Sequence, residues 1–181
     1  MKPTSLREAA APTPPGTGPR ARRLITDGVG VVARLALGAV LLVAGYLKLV
    51  DLDGSVRSVV AYDLFDYEIA KFIGLTLPVV EVAVGALLVL GLFTRAAGLV
   101  GASLMVVFIA GVASAWARGL SIDCGCFGTG GPVAPGATRY LEEIVRDVGL
   151  AVAGGWLVLR PRTPLSLDAL LTRHPHHERT D

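Results

Sequence analysis

Four long apolar runs separated by short polar stretches dominate this chain. A helix rises about 1.5 Å per residue, so roughly 20 predominantly apolar residues are needed to cross the ~30 Å hydrocarbon core of a bilayer. The windows 28–50 (GVGVVARLALGAVLLVAGYLKLV), 69–93 (IAKFIGLTLPVVEVAVGALLVLGLF), 96–117 (AAGLVGASLMVVFIAGVASAWA) and 140–159 (YLEEIVRDVGLAVAGGWLVL) all reach that length. The fourth carries Glu142, Glu143, Arg146 and Asp147 in its first turns. The pattern predicts an all-α fold, a four-helix transmembrane bundle, in a multi-pass protein of the cell membrane. A soluble helical bundle is the competing architecture, but it would need amphipathic covering helices that this chain lacks. The first run is about twice the length of a signal-peptide core and leads to no small-residue cleavage site, so it reads as a permanent anchor. No internal repeat divides the chain, and one domain is the expectation.

The polar stretches orient the spans. Residues 1–27, rich in Pro, Ala, Thr and Arg, cannot bury enough surface to fold alone and read as a disordered basic tail. The membrane domain then occupies 28–160, and 161–181 form a second tail. Lys2, Arg7, Arg20, Arg22 and Arg23 lie in the first tail and Arg160, Arg162, Arg173 and Arg179 at the other end, whereas the loop around 51–68 is acidic. Positive-inside bias places both termini in the cytoplasm and the loops at 51–68 and 118–139 outside. Composition agrees: 52% of residues are hydrophobic and only 6% aromatic, and a net charge of +2 is too small for a nucleic-acid partner.

Both cysteines lie in the second outer loop, as SIDCGCFGTGG over residues 121–131. Thiols outside the cytoplasm meet oxidants and disulfide partners. Three readings compete for Cys124 and Cys126. A structural disulfide two residues apart closes almost no loop and so stabilises little. A metal site needs further soft or imidazole ligands; only Asp123 is adjacent, and His174, His176 and His177 sit in the other compartment, which leaves copper or zinc shared across a dimer. A redox pair uses Gly125 to let the sulfurs meet in a strained, readily exchanged ring. Two unremarkable free cysteines in a loop remain a fourth possibility.

Charges within the spans are the other candidates. Arg34 and Glu81 are costly in lipid and are expected to face inward and pair with each other. Arg146, with Asp147, stands closest in sequence to the thiol loop, where a guanidinium would lower a cysteine's pKa. These ions either fix helix packing or build a polar pocket for a quinone head group or a thiolate. Pro78 is expected to kink the second span. Trp116 and Tyr140 read as interfacial anchors, and the His174–His177 run as a solvated tail.

The first two spans, RLALGAVLLVAGYLKLVD and LPVVEVAVGALLVLGLFTRAAG, resemble DoxX-type membrane proteins, and DCGCFG with a downstream RD resembles the MauE branch. The resemblance covers about residues 34–159. It implies a four-helix bundle in thiol redox chemistry that supports disulfide formation in an exported partner. Cys124 and Cys126 carry over as the redox pair, and Arg34, Glu81, Arg146 and Asp147 as motif positions; of these, the buried-ion reading above makes Arg34 and Glu81 the candidates for holding a quinone. The vitamin K epoxide reductase family is similar in outline but uses CxxC with additional loop cysteines, whereas this chain has one pair and no internal thiol relay. The reading is an extracytoplasmic thiol–disulfide oxidoreductase component that exchanges electrons with a thioredoxin-like or exported thiol protein and passes them on to a membrane quinone or a second protein. The alternative is a non-enzymatic accessory or maturation subunit, metal-binding or scaffolding. The sequence orders neither the two cysteines nor an oligomeric state.

Overall fold

The computed structural model describes residues 19–127, 130–134, 136–160 and 168, with side chains from Leu24 onward. The expectations for residues 1–18 and for the His174–His177 run lie outside the described residues. The chain forms α1 (Pro19–Val50), α2 (Leu52–Ala61), α3 (Tyr67–Leu90), α4 (Thr94–Ala117), a small hairpin of β1 (Ile122–Asp123) and β2 (Gly131–Pro132), and α5 (Tyr140–Leu159). Three helices are long and apolar enough to cross a membrane: Leu24–Val50, Tyr67–Leu90 and Thr94–Ala117. At about 1.5 Å per residue, the 24 residues of α3 span about 36 Å, enough for the hydrocarbon core. The charged first turns of α5 keep it out of that class on composition.

Two features depart from the sequence expectation. Residues 19–27 continue α1 rather than belonging to an unstructured tail. The outer segment at 51–68 is not a plain loop but holds α2, and two of its acidic residues are helix caps. Asp51 accepts from the Gly54 amide at 2.8 Å and Asp66 from the Ile69 amide at 3.1 Å, each satisfying an otherwise orphaned N–H.

Helix α1 buries a stripe at helical spacing, Ala33, Arg34, Leu37, Leu41, Ala44 and Lys48, and α3 presents Ala70, Gly74, Pro78, Glu81, Val84 and Leu88. The two pack antiparallel at close range. A Cβ on Gly45 would stand 2.9 Å from Glu81 Cβ and from the Pro78 carbonyl, and one on Gly85 would meet Leu42 N at 2.8 Å. Small residues let membrane helices approach this closely. Gly98 and Gly154 do the same for α4 and α5. Leu37, Leu41, Leu88, Met105 and Leu157 fill the core between these pairs, while Val32, Val43, Phe72, Val107 and Val152 face outward.

A tight turn, with Gly91 in the left-handed region closing α3, joins α3 to α4 at one end. Asp168 caps α4 there from a distance, accepting from the Phe93 amide at 3.0 Å, the Thr94 amide at 3.0 Å and the Thr94 hydroxyl at 2.9 Å. Its carboxyl is held below the usual range: burial opposes this, but the Thr94 and Phe93 donors and the Arg34 charge prevail. The opposite end carries α2, the hairpin and both cysteines.

Candidate functional site

The thiol loop is held from three sides. Its base is the antiparallel pairing Ile122↔Pro132 and Asp123↔Gly131. Tyr140 at the start of α5 clamps it, its hydroxyl donating to the Leu120 carbonyl at 2.5 Å and accepting from the Ile122 amide at 3.1 Å. Tyr140 is 6% exposed, so it is a buried clamp and not the interfacial anchor expected; exposed Trp116 lies against it with ring centroids 6.2 Å apart. From α2, Tyr62 donates to the Cys124 carbonyl at 3.3 Å.

Gly125 has no substitute at this position. Its φ is +67°, and a Cβ there would meet Ser58 Oγ at 2.3 Å and Ser58 Cβ at 2.6 Å. Ser58 itself is fixed, donating to the Gly54 carbonyl at 2.8 Å. The left-handed turn and the flat approach to α2 both need glycine. Asp123 closes the turn by accepting from the Gly125 amide at 2.9 Å.

Both cysteines are thiols here, Cys124 half-buried and Cys126 8% exposed, with the Cys126 amide donating to Cys124 Sγ at 3.2 Å. They are not equivalent. Cys124 is pushed up, first by its hydrogen bond to Cys126 and then by burial. Cys126 is pulled down, first by that same bond from Cys124 and then, against burial, by the charges of Arg146 and Lys48. The shared hydrogen bond therefore biases a proton toward Cys124, and the nearby cations favour the thiolate form of the buried Cys126 over that of Cys124. Tyr62 keeps its proton for the same reasons, burial first and then the two sulfurs.

Behind Cys126, Glu81, Arg146 and Asp147 meet around a cavity of about 10 Å³, with Met105 and Phe108 completing its wall. Arg146 Nε donates to Asp147 Oδ1 at 2.9 Å, and its guanidinium lies 4.9 Å from the centre of the Phe127 ring. Asp147 is 2% exposed.

The expected pairing of Arg34 with Glu81 is not found. Glu81 binds Lys48, Nζ to Oε1 at 2.6 Å, with both side chains buried. The antiparallel register explains the correction. Gly45 is level with Glu81, so Arg34, eleven residues earlier, lies about 16 Å away along the axis. That places Arg34 at the Asp168 end, far from the thiols. Of the six site candidates, Cys124, Cys126, Arg146, Asp147 and Glu81 come together and Arg34 does not.

Sequence reasoning passed over Lys48, Tyr62, Ser58, Phe127 and Glu143, whose carboxylate lies with Asp123 and Cys124 in a group of ligand atoms all within 4.8 Å of one another. Lys48 stands at the end of the first apolar run, and only its place on the buried stripe of α1, in register with Glu81, marks it as part of the site.

A family model described as methylamine utilisation protein MauE matches residues 26–160. The chain belongs to the MauE family. That match runs from α1 to the end of α5 and contains every residue of the site, and with the three long apolar helices it makes this MauE-family chain a multi-pass membrane protein. No curated protein and no solved structure matches it.

Proposed function

We propose that this MauE-family protein is a membrane thiol–disulfide redox component whose Cys124–Cys126 pair forms disulfides in an exported or thioredoxin-like partner. The observation that carries the reading is the asymmetry of the pair: Cys124 is half-buried, whereas Cys126 is buried and hydrogen-bonded to Cys124, with the Arg146 and Lys48 charges drawing its pKa down. Starting from the oxidised pair, a partner thiolate attacks Cys124 Sγ. The S–S bond breaks and Cys126 leaves as the thiolate that Arg146 and Lys48 stabilise, since a lower leaving-group pKa speeds exchange. A second partner thiolate then displaces Cys124, so the partner gains the disulfide and the pair gains two electrons. The chain has no third cysteine, so those electrons must pass directly to another protein or to a quinone.

The same reading takes α5 as a fourth span, its acidic first turns at the outer interface, with both termini cytoplasmic and the thiol loop outside. A membrane-impermeant maleimide applied to intact cells after mild reduction should label the cysteines; labelling only after lysis would reverse the orientation. Exchange itself is tested in the reverse direction with Cys126→Ala: its Cys124 thiolate attacks the partner's disulfide, releases one partner thiolate and, with no Cys126 to resolve the product, should accumulate as a mixed disulfide that thiol-trapping electrophoresis resolves. No trapped partner in that variant, with Cys124 freely alkylated, would sink the redox reading.

One observation favours a second reading, a metal-binding maturation subunit: the grouping of Asp123, Cys124 and Glu143. It offers one sulfur and two carboxylates, donors that zinc accepts. Stoichiometric zinc retained by the reduced protein through dialysis, lost in Glu143→Gln, would support it.

A further inference from the structure

We propose that the large cavity beneath the thiol loop is a binding site for a membrane quinone, which enters between α3 and α4 and takes the two electrons of the Cys124–Cys126 pair. This rests on the redox reading above and names its electron acceptor and the residues that receive it.

The cavity measures about 460 Å³, within the range of about 300–1,000 Å³ that small-molecule sites occupy. Cys124, Gly125 and Cys126 form part of its wall, so a molecule inside it lies against both cysteines. Lys48 and Tyr62 also line it, and most of the remaining surface is apolar, from residues such as Leu77, Leu104 and Phe108. Its polar groups are those of Lys48, Tyr62, three serines and the two thiols, and two of the serines are already spent on backbone carbonyls, Ser55 on Gly74 and Ser58 on Gly54. A ligand that fits is therefore an apolar body with a small polar head.

The helix packing explains why the cavity is there and where it opens. Helix α3 packs chiefly on α1, and α4 chiefly on α5. Close glycine crossings serve those pairs, while α3 and α4 are joined by the turn at Gly91–Phe93, and Ile73 and Leu77 of α3 face Leu104, Val107 and Gly111 of α4 across the cavity. The rim carries Phe65 at 50% and Val107 at 63% exposure. Both helices are membrane-spanning by length and composition, so such an opening meets acyl chains. A polar protein partner cannot use that route, and a lipid-soluble two-electron acceptor can.

The chemistry balances. The Cys126 thiolate attacks a ring carbon and forms a C–S bond. Cys124, giving up its proton, attacks Cys126 Sγ; the S–S bond forms, the C–S bond breaks, and its electron pair passes to the ring. The two ring oxygens take two protons, one from Cys124 and one from the Lys48 ammonium, which regains its own from solvent. The net change is oxidation of the pair to the disulfide and reduction of the quinone to the quinol.

The test uses the full chain in nanodiscs, reduced and freed of excess reductant, with decylubiquinone, whose fully substituted ring prevents stray thiols from adding permanently. Wild type should form one quinol per thiol pair lost, read by ultraviolet absorbance and by alkylation of the remaining thiols. Gly111→Leu grows into the cavity from a point 3.4 Å from the Tyr62 ring, and should slow quinol formation about 10²-fold, the size of loss expected when a reactant is held out of position. Val107→Trp at the rim should act in the same direction, which guards against a folding defect in either variant alone. Reduction of the oxidised pair by dithiothreitol, followed in the same wild-type samples, separates the two claims. Wild type that is reduced by dithiothreitol yet leaves decylubiquinone untouched overturns the quinone site and leaves the exchange reading standing, as does quinol formation at wild-type rate in both cavity variants. A pair that fails to exchange with dithiothreitol at all overturns both.

Discussion

Replacing Lys48 or Glu81 singly should be far more harmful than replacing both. Lys48 is 5% exposed and Glu81 fully buried, with the two in contact at 2.6 Å. Glu81 Oε2 has no hydrogen-bond donor among the described residues, so Lys48 is its counter-charge. Lys48→Met keeps the aliphatic stem and leaves a buried carboxylate; Glu81→Leu leaves a buried ammonium. The α1–α3 crossing at Gly45 is too tight for backbone rearrangement to admit solvent. An uncompensated buried charge costs about 3–5 kcal/mol, whereas exchanging a whole pair for apolar side chains is often neutral. At about 2–4 °C per kcal/mol for a chain of this size, each single variant should melt roughly 6–20 °C below wild type, and Lys48→Met with Glu81→Leu close to it.

Thermal unfolding in mild detergent, followed by tryptophan fluorescence, measures this as a double-mutant cycle. Arg34→Met combined with Glu81→Leu is the control, and it should be additive because the two residues lie well beyond the roughly 7–10 Å over which neighbours couple. Single variants within about 1 kcal/mol of wild type, or a double variant as unstable as the sum of the singles, would refute the pairing. Coupling of Glu81 to Arg34 instead would refute the helix register. The restored double variant should still form quinol slowly, since it lacks the Lys48 proton donor.

Arg146→Gln should raise the Cys126 pKa by removing the nearest guanidinium, shifting its alkylation profile to higher pH and slowing exchange at neutral pH; an unchanged profile removes Arg146 from the site. Gly125→Ala should cost at least the roughly 1–2 kcal/mol of a left-handed non-glycine residue, and Ser58→Gly should relieve only the part due to contact; wild-type stability in Gly125→Ala would refute the turn geometry. Asp168→Ala should lower the melting temperature near neutral pH. Because the folded pKa of Asp168 lies below its unfolded value, its contribution is present above the ordinary carboxylate range and lost as pH falls through the folded pKa, so the gap between wild type and variant should close on acidification; a gap independent of pH would contradict this.

What the sequence made legible follows from which signals are local. Span length and apolar composition are summed along one stretch of chain, so the long helices could be read directly. The importance of CGC follows from the rarity of its residue type and the intervening glycine, and both are visible without a fold. Partner choice among buried charges is not local. Arg34 and Lys48 lie on the same stripe of α1, and which of them faces Glu81 depends on the sliding register of α1 against α3, set by glycines at 38, 45 and 85. Tyr140 failed in the same way: an aromatic residue at a span end fits an interfacial anchor until the hairpin folds back to put Leu120 and Ile122 within reach of its hydroxyl. Helix α2 and the start of α3 were the exception, since their caps, Asp51 and Asp66 respectively, were visible as D-x-x patterns but were read as loop charge.

The register has a consequence for the chemistry. It separates the two buried cations of α1 into different jobs, with Arg34 beside Asp168 at one end and Lys48 beside the thiols at the other. Cys126 thus has two cations near it, Arg146 from α5 and Lys48 from α1, and each is already engaged by a carboxylate, Asp147 and Glu81 respectively. Fully free cations would hold the thiolate so strongly that it would become a poor nucleophile, because nucleophilicity falls as thiol pKa falls. Cations partly offset by their own carboxylates lower the pKa without suppressing reactivity. On the proposed redox cycle, in which Cys126 first departs as a leaving group and then attacks, that intermediate setting is what the chemistry needs.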